Sequence, residues 1–223
     1  MDEKRIDEII NSPKLNMNDT FKFKCDMCGK CCKNRHDILL SSYDILRIRK
    51  FLNVSFYDFM DTYCEVYIGD QSKLPVVRLR PSAICVFQMQ EKCLVNEVKP
   101  TVCALYPLGR IVAFDLNKYR SQYFLQEVDC GTKDKENIVG DWIKVLGEEF
   151  EECSHLWQSM VTKASEMMRK LPKMDEEHLE MLNTMLFMVL YDGYDYDEDF
   201  VSQFKDHLLY MDKLCIKAGE FFS

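Results

Sequence analysis

Glycine is scarce in this sequence, with 8 among 223 residues, and no two of them stand two apart. No glycine-rich dinucleotide or phosphate loop can therefore be written, and a Rossmann-type methyltransferase would normally need one. No uncharged apolar run reaches 18 residues, which removes a membrane-spanning helix. The first 20 residues, MDEKRIDEIINSPKLNMNDT, lack the apolar stretch of a secretory signal, so a cytoplasmic location is expected. Positive charge is not in excess either. The 29 basic side chains face 37 acidic ones, a formal −8, and neither nucleic acid nor an anionic membrane surface is an expected partner. Hydrophobic residues make up 47% of the chain, enough to fill a core and too many for a disordered segment.

Against these absences stand eleven cysteines. In a reducing compartment disulfides are disfavoured and thiolate metal ligands favoured, and both the odd total and the tight clustering agree with that. Cys25, Cys28, Cys31 and Cys32 fall in KCDMCGKCC. Two residues between the first pair allow a tight turn to aim both sulfurs at one ion, and Gly29 lets the backbone fold back to donate N–H groups to thiolates. Such knuckles hold zinc and iron alike. The adjacent Cys31 and Cys32 are expected to diverge, one of them facing a second ion or another edge of a cluster. Cys85, Cys93 and Cys103, in ICVFQMQEKCLVNEVKPTVCALYPLGR, and Cys130, in DCG, supply further thiolates. Eight suffice for two four-thiolate sites, or for one cluster with spare sulfurs. Because the two groups lie more than 50 residues apart, a bound metal would become part of folding.

Several alternatives fail on spacing. Cys25, Cys28 and Cys31 repeat the first steps of a bacterial ferredoxin, but Arg35 stands where its fourth cysteine would fall. Haem attachment and the cluster loop of radical enzymes are also missing. His36 reads as a surface residue, and His155, His178 and His207 as structural. Cys64, Cys153 and Cys215 read as small core residues. Lys22, Lys24, Lys30, Lys33 and Arg35 either face the thiolates or form a solvated loop.

The chain divides into an N-terminal leader, 1–20, a cysteine-cluster region, 21–144, and a helical part, 145–223, that carries 17 acidic and 7 basic residues. Ser42 and Ser55 are expected caps of two short helices over 42–64, broken near Asn53. Residues 75–80, 84–88, 110–116 and 121–128 have strand composition, the last two pairing through Asn117 to Arg120. Apolar spacing predicts helices over 148–170, 175–191 and about 198–217, the last ended by Gly219. Met160, Met167, Met168, Met174, Met181, Met185 and Met188 are read as core filling. The expected fold class is α+β: a small cysteine-metal core with short antiparallel strands and helices, then a C-terminal helical bundle or cap.

These motifs together, KCDMCGKCC with DILLSSYDILRIRKFLNVSFYDFM, ICVF, KCLVNEVKPTVCALYPLGR and DCG, resemble the YkgJ-type cysteine-cluster (CxxCxxCC) family, described as zinc- or iron-chelating proteins. The resemblance covers about residues 21–131. It implies metal ligation by Cys25, Cys28, Cys31, Cys32, Cys85, Cys93, Cys103 and Cys130. Lys99 departs from the arginine usual before Pro100, and Ala104 from a basic or polar residue. A more distant resemblance, to flagellin lysine methylase, implies an iron–sulfur protein using S-adenosylmethionine. Three functions are thus in play. The first is a metal-binding protein holding zinc or an iron–sulfur cluster, with a redox role if the metal is iron. The second is a protein lysine N-methylase, for which Tyr106, Arg110, Asp129 and Trp142 are the residues to mutate first. The third is a metal-stapled module that docks a protein through its acidic C-terminal helices.

Overall fold

The computed structural model describes residues 9, 11–90, 92–115 and 118–222. It is α+β, with seven α-helices, short antiparallel strand pairs and a C-terminal helical region among the described residues. The ten strands among the described residues do not join into a broad sheet. They pair two by two into five separate antiparallel ladders. β1 (Thr20–Lys24) pairs with β10 (Thr132–Ile138), and β2 (Lys33–Arg35) with β5 (Ser82–Ile84). β3 (Cys64–Ile68) pairs with β4 (Pro75–Leu79), β6 (Gln88–Met89) with β7 (Lys92–Cys93), and β8 (Leu108–Asp115) with β9 (Lys118–Leu125). A lone bridge also ties Leu15 to Tyr123.

The two expected helices over 42–64 are α1 (Ser42–Leu52) and α2 (Phe56–Tyr63), with Asn53 between them in the left-handed conformation that ends a helix. Ser55 caps α2 as expected, but the cap of α1 is Ser41, one residue earlier than the pattern suggested. Its hydroxyl accepts from Asp44 N while the Asp44 carboxylate accepts from Ser41 N, a reciprocal capping box. α1 is the hub of the molecule: Tyr43, Ile45, Leu46 and Ile48 are each exposed by 1% or less.

Two short helices follow, α3 (Thr101–Leu105) and α4 (Val139–Ile143), and then α5 (Phe150–Lys170), α6 (Glu176–Tyr191) and α7 (Phe200–Phe222). Asp175 caps α6 by accepting from His178 N. α7 runs three residues beyond Gly219, contrary to expectation, because Gly219 is not among the glycines with the left-handed φ that ends a helix. The C-terminal helices close onto α1 and β4. Tyr43 OH donates to Leu146 O at 2.6 Å, Ser42 Oγ donates to Leu190 O, and Val77 N donates to Tyr191 OH at 3.3 Å.

Other expectations need correction. Segment 84–88 is not one strand: Cys85 to Phe87 turn between β5 and β6, because Gln88 N reaches back to Cys85 O at 2.8 Å. The β8–β9 hairpin turns earlier than expected, since Lys118 to Arg120 are already paired; Asn117 lies outside the described residues. Met160 and Met167 are core as expected, but Met181, Met185 and Met188 are exposed by 40–55%. Cys64 and Cys153 are buried and Cys215 is half-buried. No helix among the described residues is long and apolar enough to cross a membrane.

Candidate metal centre

Each of three ladders ends at a cysteine, and their registers bring distant thiols to one place. In β1–β10, Lys24 faces Thr132, which sets Cys25 beside the loop of Cys130 and Gly131. Gly131 is required there: its φ is 74°, and an added Cβ would meet Lys24 O at 2.6 Å and the Phe23 ring at 2.5 Å. Cys28 lies near enough to the same loop to raise the Cys130 thiol. In β2–β5, Lys33 faces Ile84, and Cys85 N donates to Cys32 O at 2.8 Å. In β6–β7, Gln88 faces Cys93, so the turn that starts at Cys85 returns the chain to Cys93. Gly29, at φ 68°, opens the tight turn Lys30–Cys32 that lies among them.

Cys103 comes from α3, and α3 is held by a residue that the spacing of cysteines did not reveal. Asp44 is only 3% exposed. One of its oxygens closes the capping box of α1; the other accepts from Thr101 N at 2.7 Å and from Thr101 Oγ1 at 2.6 Å. A single carboxylate thus caps two helices and fixes the one that carries Cys103. The far end of α3 is held by Trp142, whose Nε1 donates to Leu105 O at 3.1 Å while its ring packs edge-on against Phe21 and Phe23.

The thiols fall into two overlapping sets. Cys31, Cys32, Cys85, Cys93 and Cys103 influence one another's ionisation, whereas Cys130 responds first among its charged neighbours to Cys28 and then to Cys31. The adjacent pair does not diverge: the Cys31 and Cys32 sulfurs are 3.8 Å apart. Among the described residues, no three cysteine, histidine or carboxylate side chains converge closely enough to grip an ion as they stand.

Electrostatics explain what these thiols lack. The hydrogen bond shared by Cys31 and Cys32, together with burial, pushes the Cys31 thiol far up; the same bond lowers Cys32 against the opposing effect of its burial. Burial raises Cys85 and Cys93, partly opposed by the N–H groups of Phe87 and Val95 that point at their sulfurs. Burial and the neighbouring Cys85 push Cys103 to about 12. Two cations work in the other direction, Arg35 on Cys85 and Cys103 and Lys99 on Cys31 and Cys93. Arg35 is itself paired with Asp37 at 2.6 Å, and Lys30 spans to Asp129, donating to its carbonyl at 3.0 Å. Two cations cannot offset so many thiolates brought close together and partly withdrawn from water; a bound metal cation would. Gln88 adds a second sign of an incomplete shell. Its Nε2 lies 3.2 Å from where a Cβ on Gly29 would stand, and its Oε1 is buried with no hydrogen-bond partner in the structure. Eight soft thiol donors, backbone N–H groups aimed at sulfur and an orphaned amide oxygen fit zinc or iron.

Cys25, Cys31 and Cys103 also line a cavity of about 790 Å³, walled further by Phe23, Tyr106 and Trp142. Tyr106 OH shares a hydrogen bond with Cys130 Sγ at 3.1 Å. Asp129 and Trp142, singled out from the sequence, line this cavity too, but Arg110 does not. Arg110 donates to Ser121 Oγ, Ser154 Oγ and Glu151 Oε2, joining the hairpin to α5. Ser121, Glu151 and His155 meet there without forming a catalytic triad. Both Ser121 Oγ and Glu151 Oε2 sit on His155 Nε2, at 3.1 and 3.3 Å, and the serine hydroxyl is spent on the carboxylate. His36 is exposed, and its carbonyl accepts from Arg78.

Fold and site together define an α+β domain whose paired strands bring cysteines from distant stretches of the chain together. The chain belongs to the CxxCxxCC family, described as "Putative zinc- or iron-chelating domain", whose model matches residues 24–138. Neither the curated proteins nor the solved structures contain a match.

Proposed function

We propose that this protein binds metal through Cys25, Cys28, Cys31, Cys32, Cys85, Cys93, Cys103 and Cys130, holding zinc or an iron–sulfur cluster. The observation that carries this reading is the convergence of three ladders and α3 on the Lys30–Cys32 turn, which gathers thiols from four stretches of chain. Cys32, Cys85, Cys93 and Cys103 form one four-thiolate set. Cys25, Cys28, Cys31 and Cys130 form the other, with Cys31 and Cys32 as the seam between them. An iron–sulfur occupant would supply one-electron chemistry, and a closed zinc site would supply structure. Under either occupant this chain's own residues place the sulfurs, shield them behind Phe23 and Phe87, and direct the N–H groups of Phe87 and Val95 at them.

Metal and acid-labile sulfide, measured on protein purified without air, test the reading. Stoichiometric metal that falls in Cys32→Ser and Cys103→Ser variants supports it; metal-free folded protein, or metal indifferent to both changes, refutes it. The cavity bounded by Cys25, Cys31 and Cys103 favours one further reading, in which a small molecule reaches the centre and the protein is an S-adenosylmethionine-dependent lysine methylase. Metal-dependent binding of S-adenosylmethionine by calorimetry supports that, and no binding by the metal-loaded protein removes it.

A further inference from the structure

Helix α6 is apolar on two sides and uses only one of them. Leu182, Leu186 and Leu190, four residues apart, are buried to 1% exposure or less against the rest of the fold. On another side, Glu177, Met181, Thr184, Met185 and Met188 follow the spacing i, i+4, i+7, i+8 and i+11, and they share one exposed face. Its three methionines are exposed by 40%, 43% and 55%. The leucines already fill the space between α6 and its neighbours, so core packing does not account for these residues. Solvent-facing methionine, flexible and polarisable, is the side chain that adapts to an apolar partner.

Charge identifies the partner. Residues 171–199, which comprise α6 and its two flanking loops, contain nine acidic residues and one lysine. The rest of the chain holds 28 basic and 28 acidic residues, so the entire formal charge of −8 resides in this segment. Eight of the nine carboxylates are exposed, all but Asp192. Among the described residues, none of the nine pairs with a lysine or arginine; Asp175 pairs with His178. They stand at both ends of the methionine face, Asp175, Glu176, Glu177 and Glu180 at its start and Asp192, Asp195 and Asp197 beyond its end. A second copy of this surface would bring like charge against like, and an anionic membrane would be repelled in the same way.

We infer that the Met181–Met185–Met188 face of α6 is a docking surface for a basic amphipathic helix of a partner protein. Apolar side chains of that helix lie on the methionines, and its lysines and arginines meet the acidic residues at the two ends. Sixteen residues of α6 give a contact about 24 Å long, matched by a partner helix of similar length. The inference is independent of which metal the cysteines hold.

The test uses the full-length, metal-loaded protein and two fluorescein-labelled 18-residue peptides that carry leucines at helical spacing, one with lysines and the other with glutamates on the polar face. Fluorescence anisotropy should show saturable binding of the lysine peptide alone. Its affinity should fall about tenfold or more between 50 and 300 mM salt, since the attraction is screened. Met185→Ser/Met188→Ser and Glu177→Lys/Glu180→Lys should each weaken binding at least about tenfold, with metal content and helicity unchanged because the altered residues are solvent-facing. Three results overturn the inference: no binding of the lysine peptide, equal binding of both peptides, or unchanged binding in both variants. A fourth is wild-type protein that runs as a dimer in light scattering and becomes monomeric in Met185→Ser/Met188→Ser, which would place a second copy on this face.

Discussion

Across residues 20–138 the strands pair only two by two, whereas residues 150–222 form three long helices whose inward residues Phe150, Cys153, Met160, Ala164, Leu186, Phe204 and Met211 are exposed by 2% or less. A two-stranded ladder by itself is marginal in water, while helices that bury an apolar face are stabilised by that burial. Cysteine is used differently on the two sides of this divide. In the helices Cys153 is a buried thiol pushed to about 12 by burial, a small apolar filler. In the ladders Cys64 is buried too, but the other thiols, at strand ends and in the turns beside them, are half-buried or exposed and add little to an apolar core. The difference teaches that one region is cohesive through apolar contact and the other needs a cross-link at the point where its ladders meet. Metal chelation supplies one.

The largest effect should come from the cross-link. Cys32→Ser combined with Cys103→Ser is expected to lower bound metal by at least about half and the melting temperature by about 10 °C or more, as a loss of several kcal/mol would in a chain of this size. Cys153→Ser, the matching change among the helices, should leave metal content unchanged and cost about 2 kcal/mol for a hydroxyl placed in an apolar site. Plasma emission spectrometry and calorimetry on the two variants break the comparison if they behave alike.

Asp44→Ala, at the hub between the two regions, is expected to cost about 3 kcal/mol in urea unfolding, because Ser41 and Thr101 lose their acceptors at once. It should also lower metal retention, since α3 carries Cys103. Metal retention equal to wild type would mean that the ladders hold Cys103 without α3.

A third variant addresses the polar seam between hairpin and helix. Burial opposes the charge on Glu151, but Arg110, Ser121 and Tyr123 outweigh it and hold the carboxyl below its ordinary range. A depressed carboxylate contributes stability that is full above its unfolded pKa, about 4.3, and is lost as pH falls through the lower folded value. Melting curves of Glu151→Gln should therefore start lower at pH 7 and decline less than wild type between pH 5 and 3. Parallel declines would show that the seam contributes nothing to acid sensitivity.

The smallest effect is reserved for Tyr106→Phe, which removes a hydroxyl from Cys130 Sγ and keeps the ring against Phe23. It should shift the thiolate-to-metal absorption and leave stability within about 1 kcal/mol. An unchanged spectrum in a metal-loaded sample would remove Tyr106 from the centre.

The same contrast governs what could be read from the sequence. α1, α2, α5 and α6 were legible because apolar spacing and caps are local signals: Ser55 and Asn53 do in the structure what their positions suggest. β1 and β10 were not. Their partners lie more than 100 residues apart, and TKDKENI, with one half-buried residue among seven, carries no alternating apolar signal. β3 was also missed; four of its five residues are exposed. The thiols themselves were legible from their spacing, but the carboxylate that fixes α3 was not, since one aspartate in a capping position gives no hint of a second helix 57 residues away. The exposed methionines were misread because composition alone cannot say which side of an apolar helix finds a partner.

The comparison rests on the claim that metal holds the ladders and not the helices. Hydrogen–deuterium exchange on metal-loaded protein, before and after removal of the metal by a chelator under reducing conditions, tests this element by element. Protection should be lost in β1, β2, β5, β6, β7 and β10 while α5, α6 and α7 keep theirs. Unchanged protection in those strands after complete metal removal would contradict the account.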